Sequence, residues 1–236
     1  MTLNNKKIQL IMLALVILAA GYFGWQEFFN KKQNINYSND NGLYEFKVVR
    51  TDFTEEQITR YRQEFDNYLK TINAAPEKFD YNALNAMAII KKILHDYQGA
   101  GDIWNYVGEK RPKNSLSFYN LGMLYTFDLK DNELAEKNFL QALANAEGEV
   151  GNEQYYYGIA DFYNYNAPEK KGNLEKILLA AIEAEQYKDS LELITLLARY
   201  YSENKQKDLA LKYWQKALLL SPNNDEIKTE INNLKK

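Results

Sequence analysis

The chain has 236 residues, 46% hydrophobic and 26% charged, the composition of a folded protein and not of a disordered one. A net charge of −3 supplies no basic stripe for nucleic acid. The absence of cysteine rules out a disulfide framework, a thiol nucleophile and a thiolate metal site.

From Ile8 to Trp25 the sequence runs IQLIMLALVILAAGYFGW, free of formal charge and with Gln9 as its one clearly polar side chain. As a helix this spans about 27 Å at ~1.5 Å per residue, against about 30 Å of bilayer hydrocarbon. A basic flank, residues 1–7 with Lys6 and Lys7, precedes it, and Tyr22, Phe23, Trp25, Phe28 and Phe29 follow at headgroup level. A signal peptide is the competing reading, because Ala19-Ala20-Gly21 offers small residues. The run is longer than the ~7–15 residues of such a core, and aromatics stand where a cleaved peptide would end, so residues 8–25 are expected to be an uncleaved, single-pass membrane helix. Lys31 and Lys32 partly balance the N-terminal charges, and the remaining excess favours a cytoplasmic N-terminus with the rest of the chain outside or in a periplasm.

Residues 26–53 read as a polar, Asn-rich tether ending in YEFKVVR, which has the look of a short strand. Thr54 to Thr71 reads as a leading helix opened by a Thr54…Gln57 capping box, within a leading segment 54–80.

Four helical hairpins are then expected between residues 81 and 224. In the first, Leu84, Met87-Ala88, Ala100, Trp104, Val107 and Pro112 alternate large and small residues, with Lys91 three residues beyond Ala88. The second repeats this with Phe118, Leu121-Gly122, Tyr125, Ala135, Phe139 and Ala142, and Ala88 lies 34 residues ahead of Gly122. The third is degenerate: Gly158 aligns with Leu174, Leu178 and Ala181, Asp161 takes the tyrosine place, and the turn YNAPEKKGN is about four residues too long. In the fourth, Asp189-Ser-Leu-Glu192 fits a helix start, followed by Ile194, Leu197-Ala198, Tyr201, Ala210, Trp214, Ala217 and Pro222. Small residues let two helix backbones approach, an aromatic fills the space beside the contact, and proline ends the second helix because it lacks an N–H. Residues 225–236 read as a polar closing helix.

This arrangement resembles the tetratricopeptide repeat family, whose unit has a large residue, Leu-Gly, Tyr, Ala-x3-Phe, a further Ala and Pro in about 34 residues. The resemblance implies an α-solenoid of hairpins, which together with the membrane helix expected at residues 8–25 makes an all-α protein. It also implies a groove lined by the first helix of each hairpin, which holds proteins or peptides. Under it the groove residues would be Asn82, Asn85 and Ile89, then Tyr119 and Met123, then Tyr155, Ile159 and Phe162, then Thr195, Arg199 and Ser202. A slip of one residue in the third hairpin would place Tyr156 and Tyr163 there instead, and the other reading of YYYGIADFYNY is that both of its faces are buried between neighbouring helices. The family's clamp for a terminal carboxylate is missing apart from Asn85 and Asn120.

The sequence contains one histidine, His95, without a nearby second ligand or nucleophile, and no glycine-rich phosphate loop, GxSxG or HExxH motif. No catalytic residue, metal, cofactor or small-molecule substrate is therefore expected. The expected role is a membrane-anchored scaffold that recruits partner proteins through Tyr119, Met123, Tyr155, Ile159, Phe162 and Arg199. The alternative is a chaperone-like accessory of a secretion or envelope-assembly machine.

Overall fold

A computed structural model describes residues 42–146, 151–184 and 187–236, and among them the chain is all-helical, with no strand. The expected membrane span, residues 8–25, lies outside the described residues, and no helix among those described is long and apolar enough to cross a membrane. The chain divides into two compact units, one ending at Asn145 and the other running from Ala146 to Lys236.

The first unit contains α1 (Glu55–Ala74), α2 (Tyr81–Ile93), α3 (Tyr97–Lys110), α4 (Ser115–Phe127) and α5 (Asn132–Asn145). Each helix begins where a side-chain oxygen can satisfy an orphan N–H. Thr54 makes the expected capping box: Gln57 N donates to Thr54 Oγ1 at 3.2 Å and Thr54 N to Gln57 Oε1 at 2.9 Å. Asp80, Asp96, Asn114 and Asp131 cap the helices that follow them.

The second unit contains α6 (Glu153–Asp161), a π-helical turn Phe162–Asn166, a 3-10 turn Pro168–Lys170, α7 (Gly172–Glu183), α8 (Leu191–Glu203), α9 (Lys207–Leu220) and α10 (Asp225–Lys235). The start expected at Asp189 falls one residue later, where Ser190 Oγ accepts from Leu193 N at 3.4 Å. Asn224 caps α10.

The pairs α2–α3 and α8–α9 are joined by the same turn, and α4–α5 by a similar one that is a residue longer. The carbonyls of Lys91, Tyr125 and Tyr201 accept from the amides of Asp96, Asp131 and Gln206 at 2.8, 2.9 and 2.9 Å. His95, Lys130 and Lys205 precede those amides with φ of 63°, 58° and 58°. Left-handed backbone at a helix C-terminus lets the chain reverse while its last carbonyls find donors. His95 is thus a turn residue, stacked on Tyr97 with ring centroids 5.2 Å apart.

Within each pair the small and large positions interlock. Ala88, Ala100, Trp104, Ala135, Phe139, Ala142, Ala198, Ala210, Trp214 and Ala217 are all buried. Gly122 shows why: a Cβ built there would stand 2.7 Å from Phe139 Cδ1, and Phe139 is fully enclosed. Gly122→Ala gains about 1 kcal/mol of helix propensity but overpacks by about 1–3 kcal/mol. Its thermal midpoint should fall, whereas Gly172→Ala, with nothing within 4 Å, should leave it unchanged or slightly higher. An undiminished midpoint for Gly122→Ala would mean that Phe139 can move away without cost.

The segment before α1 departs from the expected tether and strand. Residues 43–53 form neither helix nor strand, with a turn at 42–44 and a bend at 51–52; they make an arm on the first unit's core. Leu43 is buried, and Tyr44, Phe46, Val48 and Phe53 pack half-buried against that core. Phe46 meets Phe65 edge-on at 5.5 Å, and Phe53 stacks on Tyr61 at 5.7 Å. The amides of Val49 and Arg50 both donate to Leu94 O, at 3.0 and 3.1 Å. The alternation that suggests a strand therefore fits a helix-hairpin end instead of a neighbouring strand.

Candidate functional site

The stretch YYYGIADFYNY decides which residues of α6 face outward. Tyr155, Ile159 and Phe162, expected in a groove, are buried in the second unit at 4%, 0% and 0% exposure. The slipped register fails too, since Tyr156 and Tyr163 are buried, with Tyr156 edge-on to Tyr187 at 5.5 Å. The exposed residues are Gln154, Tyr157, Asp161 and Tyr165, with Tyr157 at 41% and Tyr165 at 78%.

A shift of two residues explains this pattern. Tyr156, Ile159-Ala160 and Tyr163 bury as Ile194, Leu197-Ala198 and Tyr201 do in α8. The outward positions Thr195, Arg199 and Ser202 then correspond to Tyr157, Asp161 and Asn164. Measured from Ala160 to Leu174, the connection exceeds that from Ala198 to Ala210 by two residues and not four. The π-helical turn, closed by Ala167 N to Phe162 O at 3.0 Å, takes up part of the excess.

Tyr157 lines a cleft of about 160 Å³ between α6, α8 and α10, together with Leu191, Glu192, Thr195, Arg199 and Glu226. Arg199, expected from the sequence, is exposed and pairs with Glu226 at 2.6 Å, joining α8 to α10. The Trp214 indole closes the floor; it is buried, and its Nε1 donates to Ser202 Oγ at 3.0 Å. Burial raises the Tyr157 phenol above its ordinary pKa, Glu192 raises it further and Arg199 opposes them, so near neutrality the hydroxyl remains a neutral donor. Partial desolvation raises the Asp161 carboxyl.

In the first unit Tyr119 and Met123 are half-buried on α4, and the Tyr119 ring lies 5.9 Å from that of Phe139. Tyr119 is thus the rim of a core. Asn85 and Asn120 are committed internally: Asn85 Oδ1 accepts from Trp104 Nε1 at 3.0 Å and from Asn120 Nδ2 at 3.1 Å. Ile89 is exposed, as the groove reading expects. Of the expected groove residues Thr195 and Arg199 line the cleft, while Tyr157, Glu192 and Glu226 are additions from the geometry. Their signal in the sequence was the match of Tyr156…Tyr163 to Ile194…Tyr201, masked by the competing small residue Gly158.

Among the described residues no group of three His, Asp or Glu side chains could hold a metal ion. No family model matches this chain, and no curated protein matches it either.

Proposed function

We propose that the chain is a membrane-anchored scaffold of tetratricopeptide type that recruits other proteins through the outward face of its hairpins' first helices. The cleft between α6, α8 and α10 carries this reading, because it leaves Tyr157 and Arg199 accessible on one face. Tyrosine and arginine are the residue types that most often anchor interfaces. The 34-residue spacing of the sequence pattern supports the family part of the proposal, and the charge-free run Ile8–Trp25 supports the anchor.

A photo-crosslinking residue placed at position 157 of the full chain tests the recruitment. Adducts with one or a few folded proteins are expected; adducts with many unfolded chains would favour the chaperone-like alternative, and none would remove the face from consideration. For the anchor, the protein should remain with membranes through alkaline carbonate extraction. Leu15→Arg should weaken insertion, since charge at a span's centre costs about 2.5–3.5 kcal/mol on the insertion scale. Release of a chain beginning near Tyr22 would identify a signal peptide instead.

A further inference from the structure

We propose that the face formed by α6, α8 and α10 binds a basic segment of its partner, seating a lysine or arginine side chain against Tyr157 and Glu192. This rests on the scaffold reading above and adds the chemistry of the occupant.

The size of the cleft comes first. Its volume of about 160 Å³ falls short of the roughly 300–1,000 Å³ of pockets that enclose small molecules. It suits one long side chain of a segment lying across the surface.

The polar groups select the charge of that side chain. Glu192 accepts from Ser190 Oγ at 3.3 Å, but no cation among the described residues pairs with it. Asp161 stands one turn beyond Tyr157 on the same face, exposed. Glu153 lies near enough to act on the Tyr157 phenol. Against these acceptors stands Arg199, already held by Glu226. Carboxylates (Glu153, Asp161, Glu192 and Glu226) thus outnumber cations on this face, and lysine and arginine supply the complementary charge and donors. An anionic ligand would meet like charge.

The half-exposed ring of Tyr157 provides the third element, because a cation over a tyrosine face gains electrostatically and its aliphatic stem covers the ring. Leu191 and Thr195 supply the apolar wall on which that stem would lie.

Fluorescence anisotropy with the full chain in detergent tests this, using a labelled Gly-Ser peptide carrying Arg-Leu-Lys-Leu-Arg and a version with Glu at each basic position. The basic peptide should bind at least about tenfold more tightly than the acidic one, and weaken as salt rises from about 0.05 to 0.3 M. Tyr157→Ala and Glu192→Gln should each weaken it severalfold at an unchanged thermal midpoint; both side chains are accessible, so neither holds the core. If the acidic peptide binds as well and Tyr157→Ala weakens both, the charge inference is overturned while the scaffold reading stands. If neither peptide binds, the inference is overturned, and crosslinking at position 157 decides the scaffold reading separately. Dimerisation of the chain that Tyr157→Ala abolishes would assign the face to a second copy and also overturn the proposal.

Discussion

Lys91→Met should destabilise the first unit by about 3–5 kcal/mol, the range for removing one partner of a buried ion pair. Lys91 is 1% exposed; its Nζ donates to Asp96 Oδ2 at 2.8 Å and to Glu45 O at 2.6 Å, and stands 5.8 Å above the Phe65 ring. Asp96 is buried as well, and its other oxygen caps α3 through Gly99 N at 3.2 Å. Removing the ammonium leaves a carboxylate and a carbonyl in a space that water does not reach. No larger residue at position 99 could fill it, because a Cβ there would collide with Asp96 Oδ2 and lie 2.8 Å from Lys91 Nζ. Lys91→Met combined with Asp96→Ser removes both charges and keeps a capping oxygen, so it should cost less than Lys91→Met alone. Urea unfolding of the full chain measures these differences. Amide exchange supplies a second readout: protection of Val49 and Arg50, which donate to Leu94 O, should fall in Lys91→Met because the arm loses its Glu45 tie. If the double variant is the least stable of the set, the pair is not what the site depends on.

The hairpins were legible because their rule is local and periodic. Gly122 stands against the Phe139 ring, and Ala88 with Trp104 and Ala198 with Trp214 repeat that spacing to within one residue, all of them buried. The arm was not legible, because its partners Lys91 and Leu94 lie more than forty residues downstream and give it no nearby pattern to match. Lys91 itself was visible as a departure, a lysine where the second and fourth hairpins place Tyr125 and Tyr201. Its meaning required Asp96, which the sequence shows only as a helix cap.

The site was misplaced by register. Gly158 and Ala160 both qualify as the small residue, and three consecutive tyrosines make each register look aromatic outside. Burial separates them: Tyr163 occupies the place of Tyr201, whose hydroxyl donates to Glu175 Oε1 at 2.9 Å, and Asp161 turns outward to the place of Arg199. A π-helical turn supplies the irregularity, and a template with a fixed period cannot represent it. Arg199 was placed outward by the sequence because α8 has no such interruption.

Trp214→Ala should cost about 3–5 kcal/mol, as expected for deleting a large aromatic from a closed core. The indole is 1% exposed on α9 between Ala210 and Ala217, both fully buried and both too short to fill the space. Trp214→Phe separates packing from hydrogen bonding. It keeps much of the ring and loses the Nε1–H···Oγ bond to Ser202, whose hydroxyl can still donate to Ala198 O at 3.0 Å. Losing a neutral bond of this kind costs about 0.5–1.5 kcal/mol, with a further cavity cost for the smaller ring. Trp214→Phe should therefore fall between Trp214→Ala and Ser202→Ala, the mildest of the three. Ala217→Trp approaches the same contact from the other side and should cost about 1–3 kcal/mol by overpacking. Because Trp214 also forms the floor beneath Tyr157 and Thr195, Trp214→Ala should loosen the cleft along with the core, weakening both stability and capture of the basic peptide. Tyr157→Ala should weaken capture alone. If Trp214→Ala leaves both the unfolding midpoint and peptide binding unchanged, the α8–α9 contact is not the core that its burial indicates.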